Sequence, residues 1–170
     1  MKTNQRASVS IVAGLAILLV SPAIAQKDLT AKSGSFEAAW IASGTVHVLD
    51  FVDSSSAASG RLTGTVTIQS SVGFLRNFET DCVVFADTRT GAVGRCVWKD
   101  PLGDLIYLET QGSGAGGFGA TRGVFIGGTG KYRGIQGGVQ YEWSVNVHGG
   151  GDTTLDGQSV QMRGNYRMGD

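Results

Sequence analysis

From residue 36 onward, apolar and polar side chains alternate with period two along most of the chain, the spacing of strands with one buried face. The clearest run is Arg61 to Ser70, where Leu62, Gly64, Val66 and Ile68 share one side, and Arg61, Thr63, Thr65, Thr67 and Gln69 the other. Val139 to His148 repeats the pattern, setting Val139, Tyr141, Trp143, Val145 and Val147 against polar residues. In the last segment Val160, Met162, Gly164, Tyr166 and Met168 alternate with Gln161, Arg163, Asn165 and Arg167. Phe36 to Ala42 and Thr45 to Val52 read as extended segments broken or bent at Gly44, both faces largely apolar. Phe74 to Ala86, Val93 to Lys99, Leu105 to Thr110 and Arg122 to Gly127 complete the set. Asp53 to Gly60 reads as a Ser- and Ala-rich loop, Asp100 to Asp104 as a Pro-Gly turn, Gln111 to Ala120 as a flexible Gly-rich loop, and Gly149 to Gly157 as a turn.

About eight strands at hairpin spacing, with no amphipathic helix, predict an all-β domain. An antiparallel eight-stranded β-barrel fits better than a β-sandwich. Closure removes exposed edges, and the in-strand glycines Gly64, Gly94 and Gly164 suit the corners of a small barrel. Such a barrel is just wide enough to hold side chains or one small ligand.

The N-terminus changes the picture of the compartment. Lys2 and Arg6 precede an apolar run from Ala7 to Val20, and Ala23-Ile24-Ala25 ends the segment with small-x-small spacing. This predicts a signal peptide over 1–25 with Gln26 as the first mature residue, and one β-barrel domain over 26–170. A retained anchor fits less well, because the run is short and Pro22 with the Ala-x-Ala ending suits a peptidase site. The expected location is outside the cytoplasm, periplasmic or secreted, with no membrane contact after cleavage.

Loss of the leader leaves twelve basic against fourteen acidic residues, a net charge of −2. The basic residues are scattered, so no nucleic-acid footprint exists. Glycine makes up 27 of 170 residues without a collagen-like period, so here it punctuates strands. Cys82 and Cys96 flank the turn signal Asp87-Thr88-Arg89-Thr90-Gly91 symmetrically, which predicts a cross-strand disulfide in an exported chain. No Cys-x-x-Cys or adjoining His supports a redox or metal pair, and neither a metal nor a cofactor is expected.

The segment Gly127-Gly128-Thr129-Gly130-Lys131-Tyr132-Arg133-Gly134-Ile135-Gln136-Gly137 resembles the Gly-rich signature of dirigent proteins and the related turn of allene oxide cyclases. Ile135 stands where the plant motif often has alanine. The resemblance covers about a dozen residues, and with the strand order it implies an allene oxide cyclase/dirigent-like barrel with a central apolar cavity, often trimeric. It carries no catalytic residues over. A phosphate-binding loop is the competing reading, but that loop needs Gly-Lys-Ser/Thr opening a helix, whereas Lys131 precedes Tyr132 and then a strand. Gly127, Gly128, Gly130, Gly134 and Gly137 are therefore read as structural turn residues, with Tyr132 and Ile135 tucked against the barrel end.

For chemistry, ionisable residues that share a strand face with apolar neighbours are the candidates. Asp50 lies on the Val46, Val48 face, His47 on the Leu49, Phe51 face, Arg95 between Val93 and Val97, and Glu109 with Tyr107 beside Leu105. Asp50 and His47 exclude each other, since only one face of a strand points inward. No Gly-x-Ser-x-Gly elbow or Cys/His nucleophile pair is present. The expected function is binding of a small apolar or amphipathic molecule in the barrel, with Gln111 to Ala120 as a mobile lid. The alternative implied by the resemblance is a cyclase, isomerase or stereochemical guide with few catalytic groups. A filled barrel that works through its outer surface is the third reading.

Overall fold

Eight strands follow one another: β1 (Ser33–Asp50), β2 (Ser56–Ser71), β3 (Phe78–Asp87), β4 (Gly91–Lys99), β5 (Leu105–Ala115), β6 (Phe118–Gly128), β7 (Ile135–His148) and β8 (Asp152–Met168). This computed structural model describes residues 32–71, 75–115, 117–148 and 152–169. The predicted leader, Phe74 and the glycines at 149–151 lie outside the described residues. Each strand pairs antiparallel with its successor, and β8 pairs back onto β1, so the sheet closes into a barrel. The sandwich alternative is thereby set aside.

Closure divides the molecule into two ends. The β1–β2, β3–β4, β5–β6 and β7–β8 connections meet at one, called here the hairpin end. The β4–β5 turn, the β6–β7 connection, the start of β1 and the finish of β8 meet at the other. That second end is packed solid. Phe36, Val66, Phe78, Trp98, Ile106, Leu108, Phe125, Tyr132, Ile135, Met162 and Tyr166 are all buried there. Phe78 sits 5.4 Å from Trp98 and 5.7 Å from Tyr132 between ring centroids, and Trp98 lies 5.9 Å from Phe125, the spacing of tilted aromatic pairs. Each such buried side chain stabilises the fold by about 1.5–3 kcal/mol.

The inward set follows the alternation read from the sequence in β2 and β7, where Leu62, Val66 and Val139 are buried. Four expectations are corrected. Gly44 breaks nothing: it is internal to β1 and pairs with Leu62 on one side and Leu155 on the other. The loop predicted from Asp53 to Gly60 ends at Ser55, because Ser56 to Gly60 pair with β1 and Ala57 to Gly60 also with β3, up to Gly60–Val84. Most of the turn predicted from Gly149 to Gly157 is strand, since Asp156 and Gly157 are in register with β1 and β7.

The fourth correction concerns Gln111 to Ala120, which is no mobile lid but the paired arms of the β5–β6 hairpin, in register from Gln111–Arg122 to Ala115–Phe118. Its glycines are there for space. A Cβ at Gly114 would lie 2.8 Å from the Trp143 indole, and one at Gly119 would run into the same ring. The composition of a flexible linker is thus the imprint of a large neighbour.

A β-bulge interrupts β8. Ala38 opposes Met162 but Trp40 opposes Ser159, so the partner strand advances two residues while β8 advances three. Ser159 points in and is buried, Val160 and Gln161 are both exposed, and Met162 points in again. The extra residue is the reason Val160 leaves the face it shares with Met162 in the sequence pattern.

Candidate functional site

Toward the hairpin end the interior is not filled. A cavity of about 150 Å³ lies between Trp40, Leu62, Val84, Tyr141, Trp143 and Leu155, with the Cys82 and Cys96 side chains forming part of its wall. Its origin is in the sequence. The inward positions around it are small on β3–β6 (Ala86, Ala92, Gly112) and large on β7 (Tyr141, Trp143), so the aromatic rings enter from one side without meeting equal bulk from the other. Trp40 and Tyr141 sit 5.9 Å apart between centroids.

Cys82 and Cys96 are direct register partners and form a disulfide, with Cα atoms 4.1 Å apart. Both are buried. Asp87 Oδ1 accepts from the backbone N–H of Arg89 at 2.7 Å and Thr90 at 3.1 Å, which fixes the hairpin turn and therefore the register of the two sulfurs.

Polar groups in the cavity wall are few. The Trp143 indole N–H donates to Thr121 Oγ1 at 3.1 Å, and Tyr141 is hydrogen-bonded with the same hydroxyl. Burial pushes the Tyr141 phenol up to about 12, against a smaller opposing effect of Thr121. Among the described residues no carboxylate, imidazole, amine or guanidinium lines the cavity. The site can hold an apolar body and offer a neutral hydroxyl. Among the described residues it has no charged acid–base pair.

The charged cluster is at the packed end. Asp100, fully buried, pairs with the Lys131 ammonium and accepts from the Tyr132 hydroxyl at 3.2 Å. Its Oδ1 accepts from the backbone N–H of Leu102 at 2.9 Å and Asp104 at 3.0 Å. Burial alone would raise the Asp100 carboxyl, but Lys131 and these N–H groups outweigh it and hold it below its ordinary value. Tyr132 is driven far upward, first by burial and then by the Asp100 charge.

The glycine-rich connection makes this cluster. Gly127, Gly130, Gly134 and Gly137 have φ of 150°, 51°, 76° and 111°, the region that side chains disfavour. A Cβ at Gly128 would lie 2.6 Å from the Tyr132 carbonyl oxygen. A single 3₁₀ turn, Gly130–Tyr132, drops Tyr132 into the core with no exposed area. Leu105 N–H donates to Thr129 Oγ1 at 2.9 Å while Thr129 N–H donates to the Leu105 carbonyl at 2.8 Å. Lys131 is thus occupied by the β4–β5 turn.

None of the candidates His47, Asp50, Arg95, Tyr107 and Glu109 lines the cavity. His47 and Asp50 are exposed near the hairpin end of β1. Arg95 and Glu109 are register partners that form an exposed ion pair on the outer face, and Tyr107 is half-buried on that face beside Val97. Thr121 and Asp100 were not among the candidates. The alternation Gly119, Thr121, Gly123, Phe125 was the available signal for Thr121; Asp100 carries only the mark of a turn residue.

Among the described residues no group of three His, Cys, Asp or Glu could hold a metal ion. Among them also, no helix is long and apolar enough to cross a membrane. The disulfide is compatible with an exported protein. The closed barrel is compatible with the superfamily that the glycine turn resembles. No family model, curated protein or solved structure matches the chain.

Proposed function

We propose that the protein is an exported barrel that binds a small apolar or amphipathic molecule, about the size of one ring, in the cavity at the hairpin end. The carrying observation is the volume, about 150 Å³, walled by Trp40, Tyr141, Trp143, Leu62 and Leu155. An apolar cavity of about this size accommodates a benzene-sized guest, and drug-sized ligands need about 300 Å³ or more. The hydroxyls of Thr121 and Tyr141 give one polar anchor for an amphipathic guest.

The cyclase, isomerase or dirigent-type alternative draws its support from the turn motif alone. The wall gives it little to work with, since burial pushes the Tyr141 phenol up to about 12 and among the described residues no charged group faces the guest. Export rests on the leader-like N-terminus together with the disulfide, and a trimer on the resemblance. Native mass spectrometry of protein taken from the exported fraction reads assembly and retained guest together.

Isothermal titration with toluene, p-cresol and palmitate tests the cavity. Both ring compounds should bind and palmitate should not, while Ala86→Phe, which fills the space, should abolish the heat. Absence of binding by either ring compound, or unchanged binding in the filled variant, overturns the reading.

A further inference from the structure

We propose a second binding site on the outer surface of β5–β8, for an oligosaccharide that carries carboxylate groups. Gln111, Arg122, Gln140 and Arg163 are successive register partners on four neighbouring strands. All four are exposed. They form one row of planar hydrogen-bonding heads, one per strand, at steps of about 4.8 Å. A groove of about 490 Å³ runs over this row.

Two features mark the groove as more than an ordinary wet face. The first is the bulge in β8, which sets Val160 outward beside Gln161, the third carboxamide of the groove; bulges commonly re-aim a side chain in this way. The second is Arg122. Among the arginines within strands, Arg61, Arg95 and Arg163 each have a carboxylate partner and Arg167 a carboxamide one, Gln136. Arg122 has none among the described residues, although it stands in the middle of the row.

The chemistry selects the ligand class. A carboxamide donates and accepts at once, which suits sugar hydroxyls, and a free guanidinium forks onto a carboxylate. Glu142 in the same groove accepts from hydroxyls and repels a densely charged ligand. One unpaired cation against three amides and a carboxylate favours a hydroxyl-rich chain with spaced charges over an acidic peptide or a nucleic acid, both of which need clustered cations. Gly112, Thr121 and Tyr141 border both the groove and the interior cavity, but the row that carries this inference, Gln111, Arg122, Gln140 and Arg163, takes no part in the cavity wall.

Titration calorimetry at low salt with oligogalacturonate, maltohexaose and poly-glutamate tests it. Oligogalacturonate should bind the wild type, and Arg122→Ala should weaken that binding about tenfold or more with an unchanged melting temperature. Gln161→Ala should weaken it less, and Arg133→Ala, at the packed end, should not. Absence of oligogalacturonate binding, equal binding of maltohexaose, poly-glutamate binding as tightly, or an unaffected Arg122→Ala variant each overturns the proposal.

Discussion

Replacing Asp100 by alanine should be among the most destabilising single changes in the molecule. The substitution removes the acceptor for the Leu102 and Asp104 N–H groups, leaves the buried Tyr132 hydroxyl without its Asp100 partner, and deprives Lys131 of its closest carboxylate. Three lost bonds at about 1 kcal/mol each and a Lys131 ammonium deprived of its closest carboxylate give a loss of about 3–5 kcal/mol, the size seen when one partner of a buried ion pair is removed. The natural comparison is Asp81→Ala. Asp81 also pairs with an arginine, Arg61, but both side chains are largely in water, at 44% and 68% exposure, so its loss should be about 1 kcal/mol or less. Equilibrium urea unfolding followed by tryptophan fluorescence is the assay, because Trp98 packs on Phe78, which in turn touches Tyr132. If Asp100→Ala loses no more stability than Asp81→Ala, the cluster is not what holds the packed end together.

The same carboxyl sets an acid limit. Asp100 is held below its ordinary value in the folded state, so its contribution is present above the unfolded value of about 3.9 and is lost as pH falls through the folded one; Asp100→Asn should flatten the acid limb of a melting-temperature profile. Reduction of Cys82–Cys96, or the double Cys→Ala variant, should lower stability by about 3 kcal/mol, and mass analysis with and without reductant should differ by two protons. Gly130→Val forces a side chain onto φ 51° and into the Asp104 carboxylate, so it should cost about 1–3 kcal/mol; an unchanged melting temperature would show that the turn adapts. Gly119→Leu should unfold the β5–β6 hairpin against Trp143, and hydrogen exchange should find amides of that hairpin protected in the wild type.

The barrel was legible because period-two alternation survives wherever one face is dry, as in β2 and β7. It failed where side-chain volume, not polarity, decides the conformation. Gly112, Gly114 and Gly119 look like a linker in one dimension, yet a side chain at Gly114 or Gly119 would meet Trp143 and one at Gly112 the Ala120 carbonyl and the Thr121 hydroxyl. The bulge at Val160–Gln161 was invisible for a related reason: an extra residue leaves no mark when the residues on both sides are of mixed polarity. The cavity wall was half legible, since Trp40, Tyr141 and Trp143 fall on the inward faces. Arg95 and Glu109 misled because the outer surface keeps Val83, Val93 and Val124 largely exposed, so apolar neighbours did not mean an interior. Asp100 and Lys131 stand 31 positions apart, and nothing local announces their pairing.

The pairing of β1 with β8 carries a kinetic consequence. The two strands are in register from Ser33–Arg167 to His47–Asp152, contacts separated by almost the whole length of the domain. Every hairpin from β1–β2 to β7–β8 forms locally, but the ring has no closed state until its last strand arrives. Chains dominated by so long a closure fold slowly, and until then β1 and β7 each present a bare edge that invites pairing with other chains. A nascent chain therefore stays open until its C-terminal segment has emerged. That delay makes late truncations aggregation-prone instead of merely less stable.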